Sequence, residues 1–150
     1  MLRETIAEAL KEALKNKDKL RTGTLRLVNA AIQDRDIANR GAGKDPVGDD
    51  EILQILTKMV KQREESAKAF EEGGRIELAE QERGEIAIIK EYLPSQMGED
   101  EVRKAAAEAV AETGAQGLRD MGRVMAVLKE RYPGRIDFAR ASAIVKDLLG

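Results

Sequence analysis

Apolar residues recur along this chain at spacings of three and four, the signature of helix faces. Leu2, Ile6, Leu10, Ala13 and Leu14 open the pattern and define a first helix. Asn16-Lys17-Asp18 breaks it and offers an N-cap to the next. A second helix is predicted from about Lys19 to Arg40, with Leu20, Leu25, Leu27, Val28, Ala31 and Ile32 on its apolar side. Residues 41–48, with Gly41, Gly43, Pro46 and Gly48, read as a loop. Asp49 and Asp50 put negative charge where the helix dipole favours it, at the start of a third helix that reaches Glu71 or Glu72 and stops at Gly73-Gly74. A fourth runs from about Arg75 to Leu93 and ends at Pro94. Beyond Pro94-Ser95-Gln96-Met97-Gly98 three shorter helices are expected, over about Glu99–Thr113, Leu118–Arg131 and Phe138–Leu149, with Asp137 as an N-cap. The pattern predicts an all-α chain, with an N-terminal bundle of about four helices over residues 1–94 and a small three-helix domain over 95–150. The second part has only about 50 residues, so its core is small.

Charges inside the apolar stripes are the sharpest local signal. Arg63 falls among Ile52, Leu56, Met59, Ala67 and Phe70 of the third helix. Glu82, with Glu85 close by, falls among Leu78, Ile86, Ile89 and Leu93 of the fourth. A tight Gly73-Gly74 turn makes the two helices an antiparallel hairpin, and reflecting Arg63 through it lands on Gly84, between the two glutamates. A paired cluster of Arg63, Glu82 and Glu85 is expected, with Gly84 leaving room for the guanidinium and Arg35 of the second helix placed to join. A buried charge is tolerated when it is paired and hydrogen-bonded. The cluster is therefore read first as a register-fixing ion bridge, and second as support for a binding site.

Outside the stripes, Lys19, Arg26, Gln33 and Arg40 share one ridge of the second helix at seven-residue spacing. Arg119 and Arg123 share a face of the sixth, opposite a core face of Met121, Val124, Met125 and Leu128, and Lys146 is a third cation for that surface. Either set reads as a phosphate-contacting patch or as a solvated face, and the residues alone favour the plainer reading. Residues 1–44 carry 10 Lys/Arg against 6 Asp/Glu, residues 45–96 carry 7 against 13, and residues 97–150 carry 9 of each. There is no overall basic footprint of the kind common in nucleic-acid binders, so any such contact is local.

Composition removes several classes of chemistry. The 150 residues contain no Cys, His or Trp, 36% are charged, and the net charge is -2. Without Cys there is no disulfide framework, thiolate zinc site or cysteine nucleophile. Without His the usual general base and the commonest transition-metal ligand are missing. Gly41-Ala42-Gly43-Lys44 lacks the spacing and ending of a P-loop, Asp49-Asp50-Glu51 lacks calcium-loop spacing, and Met121 with Met125 reads as core packing. No catalytic constellation, metal site or cofactor is expected. No apolar run approaches the ~20 residues of a membrane span, and the start of the chain lacks the apolar region of a signal peptide, so the expected location is cytoplasmic.

Five short strings, in this order, resemble the GatB/YqeY family and its free-standing YqeY-like proteins. They are Lys17-Asp18-Lys19 with Thr24-Leu25-Arg26-Leu27; Lys61-Gln62-Arg63-Glu64-Glu65-Ser66; Tyr92-Leu93-Pro94-Ser95-Gln96; Asp120-Met121-Gly122-Arg123-Val124-Met125; and Val145-Lys146-Asp147-Leu148-Leu149. Gly98 departs mildly, standing where a Ser or Thr cap is expected. The resemblance covers nearly all of the chain. It implies a helical bundle followed by a three-helix domain, and kinship to the tail of GatB, a subunit of the glutamine-dependent amidotransferase that corrects misacylated tRNA. In that carbon–nitrogen ligase the tail helps hold the tRNA, while the chemistry lies in parts with no counterpart here. The resemblance thus implies a non-catalytic accessory whose partner is tRNA or a tRNA-handling complex, with Arg119, Arg123 and Lys146 or Lys19, Arg26 and Arg40 as the contacting cations. The alternative is a protein-interaction or structural helical module with no nucleic-acid role.

Overall fold

The first two helices meet at a short elbow, Asn16-Lys17-Asp18. In the computed structural model, which describes residues 1–150, α1 (Leu2–Lys15) ends at Asn16 and Lys17 takes the left-handed backbone, φ 57°. The Lys17 N–H donates to the Leu14 carbonyl (3.3 Å) and the Asp18 N–H to that of Ala13 (3.0 Å). This is the paired closure of a helix end that usually has glycine at the left-handed position. Asp18 then turns its carboxylate forward, accepting the Arg21 N–H at 3.1 Å and capping α2 (Lys19–Gly41).

α3 (Asp49–Glu72) and α4 (Ile76–Lys90) form a long hairpin around Gly74, whose φ of 76° suits the turn to glycine. α1 packs along α2, and α2 also packs against α4. Their shared core is Ile6, Leu25, Val28, Ile32, Ile52, Leu56, Met59, Ile86 and Ile89, plugged by Val47 from the loop before α3. Asp36 pins that loop by accepting the Val47 N–H (2.9 Å) and two bonds from the Arg3 guanidinium (2.9 and 3.0 Å), which in turn donates to the Val47 carbonyl. α4 is shorter than the sequence pattern suggests. Glu91, Tyr92 and Leu93 close onto the carbonyls three residues back, because Pro94 disfavours α geometry at Leu93 and tightens the last turn.

The chain divides into two compact units, Met1–Leu93 and Pro94–Gly150. The second holds α5 (Glu99–Thr113), α6 (Met121–Arg131) and α7 (Phe138–Leu149). Val102, Ala106, Val124, Leu128, Ile136, Ile144 and Val145 form its core. The apolar pattern starts the sixth helix at Leu118, but a 3-10 turn occupies Leu118–Asp120 and α6 begins after it. The Asp120 carboxylate turns back to accept the Gln116 N–H at 3.0 Å, which fixes the bend. Residues 95–97 are tied to the α6–α7 loop: Gln96 donates to the Gly134 carbonyl (2.6 Å), Arg135 to that of Ser95 (2.9 Å), and the Met97 N–H to that of Arg135 (2.9 Å). The protein is all-α, and no helix is long and apolar enough to cross a membrane.

Candidate nucleic-acid interface

Two kinds of cation share the N-terminal unit, and they differ in whether a carboxylate neutralises them. Arg63 belongs to the neutralised kind. It leaves α3 toward α4, its Nε donates to Glu85 at 3.1 Å and its Nη1 to the Met59 carbonyl at 3.2 Å, and both ion-pair side chains are only 13% exposed. Glu82, one turn away, makes no such bond. Burial first, and the neighbouring Glu85 charge second, push its carboxyl above the usual range, with Arg63 pulling the other way.

Two expectations about this cluster are corrected. Arg35 does not join it. The buried stripe of α2 is centred on Leu25, Val28, Ile32 and Asn39. Arg35 lies on its shoulder, half exposed, and reaches Glu51 at 3.1 Å beside the Asn39 amide. Gly84 does not make room for the guanidinium either. A side chain there would meet the Leu20 Cδ2 at 3.0 Å, so the glycine accommodates the close approach of α2. Leu27, expected on the apolar side of α2, is half exposed.

The ridge on α2 is of the other kind. Lys19, Arg26, Gln33 and Arg40 are all exposed. Arg3, Lys11, Arg21, Arg35, Arg63, Arg83 and Lys90 of the same unit each have a carboxylate within ion-pair distance. No carboxylate comes so close to Lys19, Arg26 or Arg40, although Arg40 lies near enough to Asp36 to help depress its pKa. At its N-terminal end the ridge borders a cleft of about 460 Å³ lined by Leu14, Lys17, Lys19, Thr22, Gly23 and Arg26.

The surface in the C-terminal unit is weaker electrostatically. Arg119 and Arg123 are exposed, with Val124 and Leu128 buried and Met121 and Met125 partly buried behind them. Arg123, however, donates to Asp120 at 2.8 Å. The Gln116 N–H and then Arg123 hold that carboxyl below its ordinary range, so it remains anionic and offsets the arginine. Lys146 is exposed in the last turn of α7. No group of three or more acidic side chains is placed to hold a metal ion.

The family described as Yqey-like protein matches residues 3–149. The chain belongs to the YqeY-like family. It is also similar to proteins named "Altered inheritance of mitochondria protein 41, mitochondrial". The Candida glabrata protein is 33% identical over 104 residues, 67% of this chain and 56% of that protein. The Lachancea thermotolerans protein is 34% identical over 84 residues, 56% of this chain and 43% of that protein. The Saccharomyces cerevisiae protein is 31% identical over 84 residues, 56% of this chain and 44% of that protein. The chain spans about half the length of these curated relatives.

Two residues of this YqeY-like chain escape sequence reasoning. Lys17 reads only as part of a helix break, and Thr22 as an ordinary helical residue. Lys17 is within reach of sequence reasoning, since it stands two residues after the last helical position, where a left-handed closure is common. Nothing along the chain marks Thr22.

Proposed function

We propose that this protein is a non-catalytic accessory that binds tRNA, or a complex that handles tRNA, through the outer face of α2. One observation carries the reading: Lys19, Arg26 and Arg40 line one exposed ridge and none of them has a carboxylate within ion-pair distance, so the positive charge of that ridge is not neutralised. Phosphate neutralisation by such cations is the sequence-independent part of RNA affinity. The kinship of the family to the GatB tail supports tRNA as the partner, and a link to glutamine-dependent amidotransfer comes with that kinship. A cytoplasmic site of action belongs to the same reading. The test is a tRNA titration at several salt concentrations. Replacing Lys19, Arg26 and Arg40 by Ala should weaken binding and flatten the log-affinity against log-salt slope by about 0.7–0.9 for each phosphate no longer neutralised. Arg119→Ala with Arg123→Ala, made in parallel, should do less, because Asp120 already offsets Arg123. No measurable tRNA affinity at low salt refutes the proposal.

A second reading has its own observation. Leu27 and Ile37 are 49% and 66% exposed on α2. A groove of about 470 Å³ with Ala31, Ala38, Ile55 and Met59 among its lining residues runs between α2 and α3. Exposed apolar surface of this kind suits a protein partner. Ile37→Ser separates the two readings, since it should weaken protein association while, adding no charge beside Arg40, leaving RNA affinity within about a factor of two.

A further inference from the structure

The cleft at the elbow between α1 and α2 has features that a solvated ridge does not need. Lys17, Lys19 and Arg26 line it, and no carboxylate lies within ion-pair distance of any of them. The nearest acid along the chain, Asp18, is engaged by the Arg21 N–H and guanidinium. Asp18 also occupies the α2 N-terminus, so the cleft is a side-chain site and owes nothing to the helix dipole. Thr22 lies in its wall and is only 8% exposed, yet its hydroxyl makes no hydrogen bond within the protein. No side-chain oxygen of the protein is sealed in without a partner, so what little of Thr22 is exposed includes its hydroxyl. With no partner inside the protein, that hydroxyl is free to donate to a ligand, whereas Thr24, next but one, is committed to the Leu20 carbonyl at 2.8 Å. Gly23 completes the wall. A side chain there would meet nothing within 4 Å, so the fold itself does not require glycine inside this helix, where it costs stability relative to alanine. A glycine in a helix wall does allow a ligand to approach the backbone closely.

We propose that this cleft is a phosphate-binding subsite. Lys17, Lys19 and Arg26 neutralise the group, the Thr22 hydroxyl donates to one of its oxygens, and Gly23 leaves the wall open for it. The inference deepens the RNA reading of α2 and rests on it for the source of the phosphate, a backbone phosphodiester rather than the free ion. It adds Lys17, Thr22 and Gly23 to the surface and extends the N-terminal end of the ridge into an open cleft.

Lysine at position 17 makes the test unusually clean. Its backbone is left-handed, so Lys17→Gly removes the charge while relieving the turn. Nitrogen-15 NMR of the full chain, titrated with inorganic phosphate against chloride at equal ionic strength, should show saturable shifts at the amides of Lys17, Thr22 and Gly23. Lys17→Gly and Thr22→Val should each weaken that binding about ten-fold, as removal of one charge-assisted hydrogen bond implies. Thr22→Ser, which keeps the hydroxyl, should stay within about two-fold, showing that packing is not the cause. Shifts no different from those in chloride, or variants that bind as the wild type does, overturn the subsite. A parallel tRNA titration separates the sources. If phosphate binds and the same variants weaken tRNA, the phosphodiester is the ligand. If phosphate binds while tRNA does not, the subsite stands for the free ion and the RNA reading falls. If tRNA binds equally to wild type and variants and phosphate does not bind, the RNA reading survives and the subsite is refuted.

Discussion

Removing the guanidinium of Arg63 should leave a carboxylate buried without a counter-charge. Arg63→Met keeps most of the side-chain stem and deletes only the charged head, which bonds Glu85 and the Met59 carbonyl. Glu85 is then 13% exposed with no cation, and Glu82 remains close enough to raise repulsion. Breaking a buried pair from one side costs roughly 3–5 kcal/mol, and residual exposure puts this one near the lower end, about 3 kcal/mol. For a unit of this size that corresponds to a fall in Tm of about 12–24 °C. Glu85→Gln should cost less, about 1–2 kcal/mol, because Arg63 keeps the Met59 carbonyl and is still attracted by Glu82. The double variant Arg63→Met with Glu85→Leu should recover most of the loss, since an apolar pair replaces a buried ion pair at little net cost. Urea unfolding followed by circular dichroism gives the three values, and hydrogen exchange across α3 and α4 assigns the loss to the N-terminal unit. A loss below about 0.5 kcal/mol for Arg63→Met, the range of an exposed pair, would refute the reasoning.

Glu82→Gln acts in the opposite direction. The folded-state pKa of Glu82 lies above its unfolded value, so the folded protein binds the proton more tightly and stability falls as pH rises through that window. The variant should be more stable than wild type at pH 7 and indistinguishable from it once Glu82 is protonated, which denaturation at both pH values will show. Asp36 has the reverse sign: Arg3 first, and the Val47 N–H second, depress its pKa. Its contribution is present above the unfolded carboxylate range and is lost as pH falls through the folded value, so Asp36→Asn should speed amide exchange in residues 42–48 at pH 7 and make no difference in acid. Gly84→Ala should gain about 0.5–1 kcal/mol from helix propensity, because the atom it meets is the end of the half-exposed Leu20 side chain, which can shift; a loss would mean that Leu20 is held fast.

The helices are legible because the apolar spacing is regular and the stops are chemically plain. Gly73-Gly74, Pro94 and Asp137 each do locally what the pattern implies. The Arg63 pairing is legible for a similar reason: a two-glycine turn fixes hairpin depth, and counting residues on each side places Arg63 opposite Gly84, between Glu82 and Glu85; which glutamate takes the guanidinium, Glu85, comes only from the structure. Arg35 and Gly84 are misjudged where the count cannot reach. Whether Arg35 points inward depends on which side of α2 meets α3, and the use of Gly84 depends on the approach of Leu20 from a third helix. Both are tertiary facts with no trace in the spacing. The α2 ridge is legible as geometry, but its lack of neutralising partners is not, because that depends on where the acids of other helices fall.

Positions where this chain breaks a local rule fall into two groups. Arg63 and Glu85 break the rule against buried charge, and each is the other's compensation, so the fold accounts for both. Lys17 and Gly23 break rules of backbone preference, and the fold compensates neither. Glycine would sit better at 17, where φ is positive, and alanine would sit better at 23, where a side chain meets open space. Exchanging the two preferences would stabilise the elbow and, by the same act, remove a charge from the cleft and put a methyl group into it. Uncompensated local cost of this kind is expected at sites shaped for something other than stability. Here both costs line a cleft whose wall also includes Thr22, with a hydroxyl unbonded within the protein, and two more unpaired cations. That convergence favours an anionic ligand at the α1–α2 elbow over a solvated helix face.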